Sequence, residues 1–222
     1  MTDSLLSYAG TRDSVTGTRW GMVQHTGGHG QIEASLGAGN VYAGGGYQLF
    51  DGTHVVSNRR VDAGADYSVP NFKQSDAELT SGIDLIYLGY SKAVEGFTVG
   101  QGGYFSPQYF FAANIPLDYR GKAGDFSYHL GVVAGYAKWK ENASPLFPLD
   151  AILQAQADAA ARANPLVPSH NQAQGRSGFT GGLRADGDFD ITPTLRLSGG
   201  VAYDKAASWN ETRVSVRLRN LF

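Results

Sequence analysis

The stretch Val94–Gly121, VEGFTVGQGGYFSPQYFFAANIPLDYRG, decides the fold. Its first half is rich in glycine, and its second half alternates. Phe105, Pro107, Tyr109, Phe111, Ala113, Ile115, Leu117 and Tyr119 share one parity. Ser106, Gln108, Asn114 and Asp118 share the other, interrupted by Phe110, Ala112 and Pro116. A period of two is the period of an extended strand, with successive side chains on opposite faces. The reading is a strand over 105–118 with one apolar and one mainly polar face. Strands of soluble proteins run to about five or six residues, whereas a strand crossing a bilayer needs roughly nine to eleven. The length points to a membrane.

The same alternation recurs towards the C-terminus. Phe126, Tyr128, Leu130, Val132, Ala134 and Tyr136 are in phase, as are Phe179, Leu183, Ala185 and Phe189, and then Leu195, Leu197, Val201 and Tyr203. In the final segment Val214, Val216, Leu218 and Phe222 oppose Arg213, Ser215, Arg217 and Arg219, a dyad pattern ending on an aromatic residue. Strands are expected near 18–26, 30–48, 58–68, 76–90, 105–118, 124–138, 178–188, 193–204 and 211–220, about nine in all. The class is therefore all-β, an antiparallel transmembrane β-barrel, with a two-layer soluble sandwich as the competing architecture. One end would receive the short connections TGGHG, VPNFKQS, YRGKAGD and FDITP. The other would receive DGTHVVS, AVEGFTVGQGG, the long Glu141–Ser177 stretch and KAASWN. Short turns on one side and long loops on the other is the asymmetry of an outer-membrane barrel. Within 141–177 a helix is expected over Leu149–Ala163, started by Asp150 and stopped by Asn164-Pro165, in an extracellular loop that covers the pore or moves freely. Trp20, Trp139 and Trp209 are expected in an outer aromatic belt, and Tyr67, Tyr119 and Phe189 in an inner one.

Composition narrows the functional classes. Eighteen basic against twenty acidic residues give a net charge of −2, which offers nothing to a nucleic-acid partner. There are no cysteines, so disulfides and thiolate metal sites are excluded. The thirty glycines suit a turn-rich β protein. No run of about twenty apolar residues exists, as is also the case in a membrane barrel, and the opening MTDSLLSYAG has no secretory-signal pattern.

Chemistry-bearing motifs are sparse. His25, His29, His54, His129 and His170 are scattered without metal-ligand spacing, and DGDFD at 186–190 lacks the later glycine and glutamate of a calcium loop. The glycine runs lack the lysine of a phosphate loop. Asp76, Glu78 and Asp84 could be a carboxylate set for glycosidic chemistry, but alternating acids on a pore-facing strand are ordinary lining. No serine–histidine–aspartate set is recognisable. No cofactor, metal or catalytic residue is expected. The polar faces instead carry mixed charge, including Arg60, Asp62, Asp66, Asp84, Asp118, Arg184, Asp186, Arg196, Arg213 and Arg217. Such a wall suits a hydrated, neutral, hydroxyl-rich cargo, or an ordinary water-filled pore.

The run Gly-Gln-Gly-Gly-Tyr-Phe-Ser-Pro-Gln at 100–108 resembles the C-terminal domain of the bacterial cellulose synthase operon protein C family. SLLSYAGTRDSVTGTRWG and YAGGGYQLFDGTHVVSNRRVDAGADY are similar to that domain in the same order. The resemblance covers nearly the whole of residues 1–222. It implies an outer-membrane barrel, surrounded by lipid, that conducts nascent β-1,4-glucan outward. It also implies a preceding periplasmic tetratricopeptide region that connects to the inner-membrane cellulose synthase complex. No catalysis at the barrel is implied. A general porin, or an exporter of another exopolysaccharide, is the alternative. About nine strands is an odd number and too few for the usual bacterial barrel. The chain is therefore expected to be the C-terminal part of a larger one. On this reading Gly100–Gly103 turns an outer loop towards the pore. Tyr104 and Phe110 offer rings to glucosyl units, and Gln108, Asp118, Arg184, Asp186, Arg196, Arg213 and Arg217 line the channel.

Overall fold

A computed structural model describes residues 10–14, 16–206 and 210–220. The chain forms β1 (Thr11–Arg12), β2 (Arg19–Leu36), β3 (Gly39–Thr53), β4 (Val55–Lys73), β5 (Ala77–Tyr90), β6 (Tyr109–Ala123) and β7 (Phe126–Glu141). There follow β8 (Ser144–Pro145), α1 (Ala151–Ala163), β9 (His170–Asn171), β10 (Gln174–Thr192), β11 (Leu195–Lys205) and β12 (Asn210–Asn220). Ten strands make one antiparallel sheet in the order β1-β2-β3-β4-β5-β6-β7-β10-β11-β12, and β8 and β9 form a separate pair. The architecture is all-β and barrel-like. Among the described residues nothing pairs β12 with β1 or β2, so the sheet is open.

The alternating residues separate as their parity requires. Tyr87 pairs with Phe111, Leu117 with Val132, Tyr136 with Phe179 and Val201 with Val214, all on one apolar face. Such cross-strand pairs are the unit of sheet stabilisation. The face is uncovered: Ile115 is 62% exposed, Phe179 82% and Val216 78%. A contiguous apolar surface of this extent marks an interaction with lipid or protein. On β7 the band runs from Phe126 to Tyr136, eleven residues, before Lys138 and Lys140 take over the same parity. That matches the roughly nine to eleven residues with which a tilted strand crosses hydrocarbon. No helix is long and apolar enough to cross a membrane among the described residues.

The connections alternate between two ends as expected, with different boundaries. Thr26–Gly30 is not a turn. These residues lie inside β2, with Gly27 opposite Gln48 and Gly30 opposite Gly45. A side chain at Gly27 would collide with the Tyr47 carbonyl, so this glycine serves close backbone approach rather than reversal. The chain reverses between Leu36 and Gly39, where Gly37 takes φ 61°. DGTHVVS is not an extended loop either: β3 and β4 meet at His54, which itself adopts φ 49°. Phe105 and Pro107 precede the strand that was expected to contain them, because β6 begins at Tyr109.

The helix begins where Asp150 caps it, accepting from the amides of Ile152 (3.0 Å) and Leu153 (2.9 Å), and ends at Asn164. The long connection is ordered. The β8–β9 pair closes it, and the Gln154 side chain reaches the Ser169 carbonyl at 2.9 Å.

A single sheet has no interior. The buried apolar residues Trp20, Phe50, Val55, Tyr90, Ala93 and Val94 gather instead at the end that carries the long connections. Burial removes Trp20 from any lipid-facing belt. Trp139 leaves it too, because it pairs with Phe110 on the polar face and meets Phe105 edge-on at 5.0 Å. Tyr67, Tyr119 and Phe189 do lie on the apolar face. Trp209 and Phe222 lie outside the described residues.

Candidate functional site

The second face carries the charged side chains, several of them in ion pairs, interspersed with apolar ones such as Ile86, Leu88 and Val133. Arg60 binds Asp62 at 2.9 Å, Arg196 binds Asp190 at 2.5 Å with a second contact at 3.2 Å, and Arg213 binds Asp204 at 2.5 Å. Arg184 pairs with Asp186. His129 stands between Asp118 at 2.5 Å and Asp186 at 3.7 Å. Asp66 and Asp84 are direct cross-strand partners, next to Asn114. A groove of about 460 Å³ runs over this wall, lined by Asp118, His129, Arg184, Asp186, Asp204, Arg213 and Ser215, with Gly131, Gly182 and Gly200 beneath.

At one end the polar face is roofed by residues 91–108. This segment folds over the wall because its backbone is tied at both ends. Gly100 donates to the His54 carbonyl (3.0 Å), and its own carbonyl accepts from Val56 (2.9 Å). The Tyr90 amide donates to Pro107, and the Gln108 amide to Lys140. Gly100, at φ 99°, holds a conformation that other residues rarely adopt.

Asn58, 1% exposed, organises one side of this cap. Its Oδ1 accepts from Ser91 Oγ (2.9 Å) and the Lys92 amide (3.0 Å), while its Nδ2 donates to the Lys92 carbonyl (2.9 Å) and the Tyr104 hydroxyl (3.3 Å). The Tyr104 ring stacks on Phe50 at 5.4 Å and leans on Tyr90 at 5.7 Å. Burial raises its hydroxyl pKa above the ordinary value, and the Asn58 amide offsets part of that rise.

On the other side Ser106 and Gln101 are fully buried. Ser106 Oγ donates to Glu141 at 2.9 Å and accepts from the Val94 amide at 2.8 Å. Gln101 Nε2 donates to the Pro145 carbonyl at 2.6 Å, joining the cap to the long connection. Glu141 is 1% exposed, and its Oε2 has no hydrogen-bond donor among the described residues. It lies beyond Lys138, outside the apolar band. Burial, then the neighbouring Glu95 carboxyl, lift its pKa to about 7.

The expected channel residues therefore occupy three settings. Phe110, Asp118, Arg184, Asp186, Arg196, Arg213 and Arg217 share the polar face, with Arg217 on the edge strand opposite Ser198. Tyr104 sits in the cap on the same side. Gln108 is a tie: its Nε2 donates to the Ser106 carbonyl at 3.1 Å and its Oε1 accepts from the Asn142 amide at 2.5 Å. Sequence reasoning missed Asn58, Gln101 and Ser106 as an organising core, because nothing in their types marks burial. Glu141 was missed too, because the strand was expected to end at 138 with Glu141 opening the long connection, whereas β7 runs on to Glu141 in the parity of His129 and Trp139. No group of three or more histidine, cysteine or acidic residues that could hold a metal occurs among the described residues.

Fold and site together define a barrel-like β protein with an apolar face, a second face that carries ion pairs and an ordered cap folded over the latter. The chain belongs to the family described as "Cellulose synthase operon protein C C-terminus", whose profile matches residues 1–222. It is 40% identical over 213 residues to cellulose synthase 2 operon protein C of Komagataeibacter xylinus, covering 96% of this chain and 16% of that protein. It is 32% identical over 234 residues to cellulose synthase operon protein C of Xanthomonas axonopodis pv. citri, covering 99% of this chain and 15% of that protein. The Salmonella typhimurium protein of the same name is 30% identical over 165 residues, covering 73% of this chain and 14% of that protein. The chain thus spans about a sixth of the length of relatives such as the first of these.

Proposed function

We propose that this chain forms part of the wall of an outer-membrane conduit through which nascent β-1,4-glucan leaves the cell. The observation that carries the reading is the division of one sheet into a bare apolar face and a face that carries the charges, where Arg60, Arg184, Arg196 and Arg213 each pair with an aspartate. The apolar band has the height of a bilayer core. Backbone groups at an open edge cannot face hydrocarbon, so β2 and β12 pair with further strands in the assembled wall. A cellulose chain is uncharged, with hydroxyl edges and apolar ring faces. It slides past matched ion pairs without meeting a deep potential of one sign, and Phe110, Trp139 and Phe105 offer it rings near the mouth. Phe105 is 46% exposed and Tyr104 is packed between Phe50 and Tyr90, so Phe105 replaces Tyr104 as the cap residue that presents a free ring surface. In this role the chain conducts and does not catalyse. Its partners are outer-membrane lipid, the polymer, a periplasmic tetratricopeptide region and the inner-membrane synthase complex.

The test is a strain lacking the parent protein. Export predicts that its membranes retain glucan synthase activity while polymer is retained inside the outer membrane. Loss of synthase activity itself, with no retained polymer, rules out the conduit reading.

A further inference from the structure

On the polar face, acidic or amide side chains repeatedly stand directly across from glycine. Asp62 faces Gly46, Asp118 faces Gly131, Asp204 faces Gly182, Asp186 faces Gly200 and Asn114 faces Gly135. Strand pairing puts directly opposed Cβ atoms about 4.5–5.5 Å apart, so a missing Cβ leaves a hollow beside its partner. The aspartates occupy those hollows. A Cβ on Gly182 would lie 3.0 Å from Asp204 Oδ1, one on Gly46 3.0 Å from Asp62 Oδ2, and one on Gly131 3.4 Å from Asp118 Oδ1. On Gly200 and Gly135 it would overlap Asp186 and Asn114. Each seated carboxylate also holds a basic partner: Asp62 holds Arg60, Asp118 holds His129, Asp186 holds Arg184, and Asp204 holds Arg213.

Propensity does not account for these glycines, because glycine weakens a strand interior. Turn geometry does not either, since none of the five has positive φ. What they share is a polar neighbour lying across them. We propose that these Gly–Asp pairs are the bore-determining element of the wall: each glycine is a seat that folds a carboxylate flat along the sheet, where its basic partner covers it. The wall then stays hydrophilic without long side chains standing into the path of the polymer. The inference rests on the conduit reading above and names the residues that set its clearance.

The experiment uses the full-length parent protein, purified for planar-bilayer recording and expressed for cellulose secretion. Gly182→Ala with Gly200→Ala introduces methyl groups whose nearest contacts are the ends of two aspartate side chains, with Ser215 Oγ at 3.4 Å and the Tyr203 carbonyl at 3.7 Å at ordinary contact distance. The carboxylates swing off the wall, and both unitary current and secretion fall. Removing the displaced groups in the same background, with Asp186→Gly and Asp204→Gly, restores the current. Gly199→Ala, on the opposite face, whose added Cβ has only the Ser215 carbonyl within reach at 3.8 Å, leaves the current unchanged. If the double alanine variant fails to assemble, recovery of assembly in the fourfold variant supports the same seat. Unaltered current in the alanine variant, or a defect that persists after the aspartates are removed, overturns the proposal. A wild-type protein that forms no pore overturns the conduit reading and this inference with it. Currents that respond as expected while secretion does not would leave the seats standing and refute glucan as the cargo.

Discussion

Glu141→Gln tests what holds the cap down. The carboxyl is sealed from water, accepts from the Ser106 amide (3.3 Å) and hydroxyl (2.9 Å), and turns Oε2 towards no donor. With Glu95 beside it, the neutral form is favoured, and the pKa rises from 4.5 to about 7. At 1.36 kcal/mol per unit this rise corresponds to about 3 kcal/mol as an upper bound. The sign follows from linkage: a carboxyl whose pKa is raised on folding binds protons more tightly in the folded cap. Its contribution is therefore complete below about pH 4.5, falls as pH rises, and is lost through about pH 7. Glutamine keeps an uncharged oxygen for Ser106 and supplies an N–H₂ that Glu95 can accept, so it mimics the protonated state at every pH.

Hydrogen exchange of peptides covering 91–108, corrected for the intrinsic pH dependence of amide exchange, reads the opening of the cap. Protection in the wild type should fall between pH 5 and 8 by up to about a hundredfold, since each 1.4 kcal/mol is a factor of ten. The glutamine variant should hold the low-pH level throughout. Comparing the two separates Glu141, with Glu95 beside it, from the other ionisable side chains around the cap. A wild-type cap with flat protection, or a glutamine variant with the wild-type slope, refutes the reasoning.

Tyr104→Phe removes only the hydroxyl that Asn58 donates to and should cost about 1 kcal/mol of cap stability, whereas Tyr104→Ala empties the space between Phe50 and Tyr90 and should cost about 3–5 kcal/mol, both read by protease resistance of the cap. Gly100→Ala places a methyl 2.9 Å from the Pro148 ring at φ 99°, which should cost at least about 1 kcal/mol and expose the cap to protease. Ile115→Arg, on the bare apolar face, should oppose insertion by about 2–4 kcal/mol in a heat-modifiability gel, while Trp139→Gln on the polar face leaves insertion intact. An epitope at Leu166, 91% exposed, should be reached by antibody on intact cells, and one at Gly124 only after the outer membrane is opened. The reverse accessibility would invert the assigned topology.

What the sequence revealed and what it hid divide along one physical line. Period-two alternation is local, so the long strands, their faces and the polar-face positions of Asp118, Arg184, Asp186, Arg196 and Arg213 could be read residue by residue. The helix was equally legible because Asp150 and Asn164 act on their own neighbours. Glycine was the point of failure. At Gly37 and Gly100 it supplies positive φ, at Gly27 it admits a neighbouring backbone, and at Gly182 and Gly200 it makes room for a side chain on another strand. Only the first of these uses has a local signature. The others depend on register, which no short window contains, so GG inside a strand and GG at a turn look alike. The same limit hid the cap. Asn58, Gln101, Ser106 and Glu141 come from three segments, and their burial arises only when residues 91–108 fold back onto β4 and β7. That fold-back also gives the glycines and aromatics of Val94–Gly121 separate tasks. Gly100 lets the segment turn back over the polar face, and Phe111, Ile115 and Leu117 carry the strand's apolar face on the other side. The fully buried Gln101 and Ser106 between them tie the loop to Pro145 and to Glu141 of β7, so that polar residues occupy the most buried positions among the described residues.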